Sequence, residues 1–163
     1  MSSYHLRRAE KEIEAESELL DVIMRNKYLT IAMSKDDLPY LVTLSYGFDA
    51  DARCFYFHCA SEGRKIEYLR ANPNVWGQIL EDLGYMGGEC NHAFRTVQFG
   101  GTVSFLEELE EKTHALGLLF DQLEPEPGIM KERLMKPKSI QNLTMGKIDV
   151  HALTGKQNPK PAN

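Results

Sequence analysis

Long hydrophobic runs are missing from this 163-residue chain, and no apolar stretch approaches the roughly 20 residues that span a bilayer as a helix. Cysteine is scarce. Cys54, Cys59 and Cys90 are spaced too irregularly for a disulfide framework, and together with His58 and His92 they match no standard zinc pattern, so no metal site is expected. Basic charge is not in excess either. A net charge of −5 argues against a sequence-independent nucleic-acid binder, which carries a basic face. No nicotinamide fingerprint is present, and Gly84-Tyr85-Met86-Gly87-Gly88 lacks the Lys-Ser or Lys-Thr of a phosphate loop, so it reads as a flexible loop. The first residues, Met1 to Arg8, lead into charge rather than a secretory apolar region, and a reducing cytoplasm is the expected compartment.

The composition that is present suits one globular domain: 42% hydrophobic and 26% charged, without repeats or low-complexity segments. Residues 10–26 have helical periodicity, with Leu19, Leu20, Ile23 and Met24 as the apolar stripe and Ser17 as a cap. Strands are expected at 28–33, 39–46 and 53–59, joined by short polar turns as an antiparallel meander. A helix from Glu62 stops before Pro73, and strands follow at 75–81 and 94–106. A charged helix over 107–123, an ill-defined stretch to Asn142 and a last strand over 145–153 complete the list. The tail from Lys156, with two prolines and no apolar cluster, reads as loose. About six strands and a few helices indicate a mainly β fold, a small antiparallel barrel with helices packed outside.

The segment with the most chemistry is Phe55-Tyr56-Phe57-His58-Cys59-Ala60-Ser61-Glu62-Gly63-Arg64-Lys65. An aromatic strand runs into a small-residue turn and then a helix that opens with two cations. Ser61 can cap that helix, and Gly63 lets backbone approach a ligand. Free amides, the helix dipole and two cationic donors suit a phosphate. A plain solvated helix start accounts for the same residues, and from the residues alone both readings stand.

The order of motifs then becomes specific. Leu6-Arg7-Arg8 with Glu12-Ile13, Pro39-Tyr40-Leu41-Val42, Tyr46-Gly47-Phe48-Asp49 and Phe55-Tyr56-Phe57-His58 come first. Glu62-Gly63-Arg64-Lys65-Ile66-Glu67, Asn72-Pro73, Arg95-Thr96-Val97 before Gly100-Gly101, and Thr154-Gly155-Lys156 follow. In this order the chain resembles the FMN-binding split-barrel superfamily of pyridoxamine 5′-phosphate oxidase, nearest its nitroimidazole-resistance branch. The resemblance implies a six-stranded antiparallel split β-barrel with flanking helices, a single domain over residues 1–155 and a tail over 156–163. It implies FMN at the interface of a homodimer, without nucleic-acid or membrane partners. Arg64 and Lys65 correspond to the family's phosphate-binding pair, and His58, Cys59 and Ser61 flank the ribityl phosphate. Thr43, Leu44, Ser45 and Tyr46 correspond to the run along the flavin ring, and Thr96 to a polar residue reaching it from the fifth strand. His58 is the candidate proton donor.

Departures from the oxidases are equally specific. Leu41 and Tyr46 stand where the oxidases have Arg and Lys, and Thr144 to Val150 lacks their basic substrate motif. Thr43 and Ser45 replace the Pro and Asn common in nearer relatives. Vitamin B6 oxidation is therefore not expected. The resemblance implies an FMN-dependent oxidoreductase that reduces a small, nitroaromatic-like acceptor. The alternative on the same barrel is a flavin- or haem-binding protein without turnover, with His58 or His92 as a haem ligand.

Overall fold

The computed structural model describes residues 8–159. A short 3-10 turn (Ala9–Lys11) and helix α1 (Glu16–Arg25) precede strands β1 (Tyr28–Lys35) and β2 (Leu38–Ser45). Strands β3 (Gly47–Asp49) and β4 (Cys54–Cys59) follow, then helix α2 (Arg64–Ala71) and the long strands β5 (Asn74–Met86) and β6 (Asn91–Phe105). Helices α3 (Leu109–Leu123), α4 (Pro127–Leu134) and α5 (Pro137–Gln141) lead to β7 (Thr144–Asn158). All pairings are antiparallel, and the strands form one sheet in the order β2-β1-β5-β6-β7-β4-β3.

That order forces the shape. The two edge strands, β2 and β3, are separated in the chain by Tyr46 alone. A flat sheet would hold its edges tens of ångströms apart at about 4.8 Å per strand. The sheet therefore curls until its edges meet, and the chain leaves β1 at Ser45 and joins β4 at Gly47. The result is a barrel split between β2 and β4.

Tyr46 holds the junction. Its side chain is fully buried, its ring packs edge-on to Phe55 at 5.4 Å, and its hydroxyl donates to the Ile23 carbonyl at the end of α1. Gln122 of α3 donates to the carbonyls of Ile23, Met24 and Asn26, so the orphan acceptors of that helix end are satisfied from the opposite side. Beside it, a Cβ on Gly47 would lie 2.6 Å from the backbone of Leu118 and Leu119, so only glycine lets α3 dock against β3.

Two apolar regions result. The barrel interior contains Ile23, Leu29, Ile31, Tyr46, Phe55, Phe57, Ile79, Val97, Phe99 and Ile148. The second lies under α3 and α5, where Leu116, Leu119 and Ile140 cover Cys54, Tyr56 and Met145 on the other side of β4. Inside the barrel the rings of Phe99 and Phe57 lie over Gly77 and Gly146 on the neighbouring strands, where a side chain would collide with them.

Several expectations are corrected. The described residues form seven strands, not six, because the chain breaks at Tyr46 and the short β3 pairs separately with β4. The first three strands make no meander: β1 and β2 form a hairpin, while the third pairs with β7 and β3. The glycine-rich loop is largely strand, since β5 continues through a bulge near Gly84 and turns only at Gly87–Cys90. The first helix begins at Glu16 with Ala15 at its cap, because the Ile13 amide is bonded to Gly155 of β7 and residue 12 bridges Lys156. The same pairing extends β7 to Asn158, so Lys156, Gln157 and Asn158 are sheet rather than loose tail. The Leu6-Arg7 motif and the last four residues lie outside the described residues.

Loss of the Tyr46 hydroxyl and loss of its ring should separate cleanly. Tyr46→Phe should cost about 1 kcal/mol, since Gln122 still serves the Ile23 carbonyl. Tyr46→Ala should cost about 3–5 kcal/mol through the cavity it leaves. Urea unfolding of the two variants checks both values.

Candidate functional site

Alternation on β2 decides which residues of the 43–46 run can meet a ligand. Leu44 and Tyr46 point into the barrel and are buried, whereas Thr43 is exposed and Ser45 half-buried on the outer face. Two rows of side chains cross that outer face. Registration aligns Thr43, Thr30, Gln78, Gln98 and Thr154 over five strands. The Thr30 and Thr43 hydroxyls are 3.0 Å apart, and Gln98 Nε2 donates to Gln78 Oε1 at 3.1 Å. The adjacent row is Leu41, Ala32, Trp76, Gly100 and Ala152, with Leu41 63% and Trp76 48% exposed. Among the described residues no helix covers these apolar side chains.

Thr96 belongs to the same outer face. Its hydroxyl donates to the Ile79 carbonyl at 2.9 Å, and it forms part of the floor of a groove of about 500 Å³. Strands β1 and β5 lie between Ser45 on β2 and Thr96 on β6, which separates them by roughly 14 Å at the usual strand spacing. One chain thus does not bring these two expected ring contacts together.

The basic pair sits elsewhere, over the split. Helix α2 buries Ile66 and Leu69 and lays its first turn across the gap. The Arg64 guanidinium stands 5.5 Å from the centre of the Tyr40 ring on β2, and Lys65 Nζ stands 5.7 Å from that of Phe57 on β4. Cation–π contact orients both groups. Among the described residues neither is held in an ion pair, which leaves two cations uncompensated beside free first-turn amides. The cap is Gly63, at φ 115° with open space where a Cβ would be, and not Ser61, which is exposed in the connecting turn. These residues fit a phosphate.

The residues around β4's end divide between its two faces. Cys59 alternates with His58, packs against the barrel interior and feels Lys65; burial pushes its thiol up and the Lys65 charge pulls it partly back. His58 is exposed and shares the other face with Tyr56, which lies under α3. Alternation therefore turns His58 away from the side on which Lys65 meets Phe57. Cys90 is exposed in the β5–β6 turn at φ 49°.

Sequence reading missed the groove. It is lined by Gln78, Leu80 and Asp82 of β5, His92, Phe94, Thr96 and Gln98 of β6, and Lys156 of β7. The signal was the alternation of Trp76, Gln78, Leu80 and Asp82 with Val75, Gly77 and Ile79. Assigning 156 to a loose tail removed Lys156, the basic residue of the groove lining.

Comparison with known proteins agrees with this architecture. A family model described as pyridoxamine 5′-phosphate oxidase matches residues 15–157, and the chain belongs to that family. No functionally curated protein matches it. A Bacteroides thetaiotaomicron protein provisionally assigned to 5-nitroimidazole antibiotic resistance has a similar structure, with 24% identity and a TM-score of 0.73 over 90% of this chain and 86% of that one. An FAD-binding protein from Mesorhizobium loti is 26% identical, with a TM-score of 0.62 over 88% and 95% of the two chains. The FAD and haem binding protein of Mycobacterium smegmatis has 17% identity and a TM-score of 0.75 over 93% and 77%.

The three thiols should react in the order of their surroundings. At neutral pH, iodoacetamide should label exposed Cys90 first, and half-buried Cys59 at least about tenfold more slowly because the thiolate is the reactive form. Buried Cys54, whose thiol burial also pushes up, should react only on unfolding. Peptide mass mapping over time reads the three rates.

Proposed function

We propose that this member of the pyridoxamine 5′-phosphate oxidase family is an FMN-binding oxidoreductase, a homodimer that reduces a small, nitroaromatic-like acceptor. The observation that carries the reading is the pair Arg64 and Lys65, without a carboxylate partner among the described residues and held by Tyr40 and Phe57 across the split. The Mesorhizobium loti relative, an FAD-binding protein, supports a flavin. When bound, flavin supplies the electron transfer itself. This chain supplies the rest: Arg64 and Lys65 neutralise the phosphate, and Ser61 and the first-turn amides of α2 are placed to donate to it. Thr43 and Ser45 offer hydroxyls to the ring from the exposed side of β2. Leu44 and Tyr46 support that strand from within the barrel, and Cys59 backs the phosphate end.

The same geometry supports the homodimer reading. Thr96 lies too far across the sheet to share a ring with Ser45 of its own chain, so a second copy must provide one of the two contacts. The uncovered row of Leu41, Ala32 and Trp76 offers that copy an apolar face. True pyridoxamine phosphate oxidation does not fit. Leu41 brings no charge, and Tyr46 is sealed in the core where a substrate-binding Lys would be needed. Binding without turnover is the second reading, favoured by the orientation of His58, which faces away from the Lys65 side of β4.

Two measurements test the proposal. A charge-assisted hydrogen bond contributes about 1.5–3 kcal/mol, so Lys65→Ala should weaken FMN binding roughly ten- to a hundredfold by fluorescence titration. Undiminished binding would move the phosphate elsewhere, and a yellow chromophore bleached by NADH or NADPH and reoxidised by a nitroaromatic would establish turnover. Trp76→Glu places a charge in the proposed interface. Light scattering should then report monomer, and FMN affinity should fall with it.

A further inference from the structure

The groove around Thr96 contains more chemistry than contact with a ring edge requires. Leu80, 53% exposed, and Phe94 form apolar walls, and Gln78, Gln98 and Thr96 form a polar floor. Lys156 registers directly with Thr96 and Leu80 with Thr96 on its other side, so the ammonium-bearing chain flanks the middle of the groove. Among the described residues no ion pair holds Lys156.

At the far end, His92 Nε2 is 2.7 Å from Asp82 Oδ1, which also accepts the Gly84 amide at 2.7 Å. The single acid of the lining thus has one oxygen committed twice, and its carboxyl is held below the usual range by these bonds, His92 first. With Nε2 engaged, the other ring nitrogen of His92 is left for a ligand. Behind His92 the Lys11 ammonium donates to Asn158 Oδ1 at 2.6 Å. Tyr85 packs its ring 6.2 Å from that of His92, Asn91 accepts the His92 amide, and Asn158 donates to the His92 carbonyl. Cavities of this volume with apolar walls and a few convergent polar groups hold small molecules.

We propose that this groove is the acceptor seat, and that it takes a flat aromatic bearing an anionic substituent, such as a nitroaromatic carboxylate. The ring lies between Leu80 and Phe94. The carboxylate meets Lys156, and a nitro or carbonyl oxygen reaches the Gln98 amide or the free nitrogen of His92. The proposal rests on the oxidoreductase reading for its purpose, while the binding event requires no turnover.

The probe is 4-nitrobenzoate, titrated calorimetrically into FMN-loaded protein and into flavin-free protein, with nitrobenzene as the uncharged control. Saturable binding of 4-nitrobenzoate in both forms is expected. Lys156→Met should weaken it at least about tenfold, as for loss of one charged contact. Lys156→Arg should largely preserve it, and nitrobenzene should not distinguish the three proteins. Leu80→Trp, at an exposed position that folding does not depend on, should fill the groove and abolish binding while melting temperature stays unchanged.

Equal affinity in Lys156→Met, retained binding in Leu80→Trp, or absence of saturable binding would overturn the proposal. So would loss of the probe on adding FMN, which would give the groove to the flavin. FMN retention is scored separately in every variant. Failure of the groove with FMN retained leaves the flavin reading intact, and failure to hold FMN with the probe still bound leaves the groove.

Discussion

The whole molecule depends on one residue passing the chain from one edge of the sheet to the other. Because Tyr46 alone separates β2 from β3, the barrel is closed covalently rather than by hydrogen bonds between its edges. Covalent continuity removes the open-edge problem at one end of the split but leaves β2 and β4 without a ladder between them. Something else must cover that gap. Helix α2 does so with a buried Ile66 and Leu69 and with two cations braced on the flanking aromatics. The gap that closure leaves is the place where the cationic pair is presented, so the architecture and the proposed anion site share one cause.

Closure also explains why the outer face is the part available for ligands and partners. The inner residues of the barrel are committed to packing aromatic rings over glycines, and β4's far side is taken by α3. What remains is the outside of β2, β1, β5, β6 and β7. There an apolar row, with Leu41 and Trp76 exposed, runs beside a polar one tied by cross-strand hydrogen bonds. Exposed apolar residues in a continuous row reflect a demand other than folding.

Much of the fold was legible. Alternating apolar residues and turn chemistry located the strands, and the Asp36-Asp37 turn does join β1 to β2, both residues at positive φ as a two-residue hairpin requires. The order of strands was not legible from local pattern, because pairing of β4 with β7 depends on contacts some ninety residues apart. Nor could propensity reveal that Gly84 to Met86 remain strand: glycines there serve a bulge inside a hairpin, and the partner strand supplies the order. At the candidate site, strand alternation puts Thr43, Ser45 and Thr96 on the outer face, and the start of α2 presents Arg64 and Lys65 without an ion-pair partner among the described residues. That Ser61 is not the cap was not legible, since the backbone turn at Gly63 makes the glycine the last non-helical residue.

A contiguous motif on a strand is two motifs interleaved. Thr43-Leu44-Ser45-Tyr46 reads as one ligand-binding run, yet alternate members answer to different constraints. Leu44 and Tyr46 are fixed by the interior, and a polar replacement there would bury an unpaired group. Thr43 and Ser45 face outward, where exchanging hydroxyl, amide or proline affects the ligand with little cost to the barrel. The departures of this chain from its relatives at 43 and 45 fall on the permissive side. By contrast, Tyr46 is the bolt of the closure, its ring on Phe55 and its hydroxyl on the Ile23 carbonyl. Position 46 is therefore bound to stability: it is the one member of the run that this barrel cannot release without losing its closure.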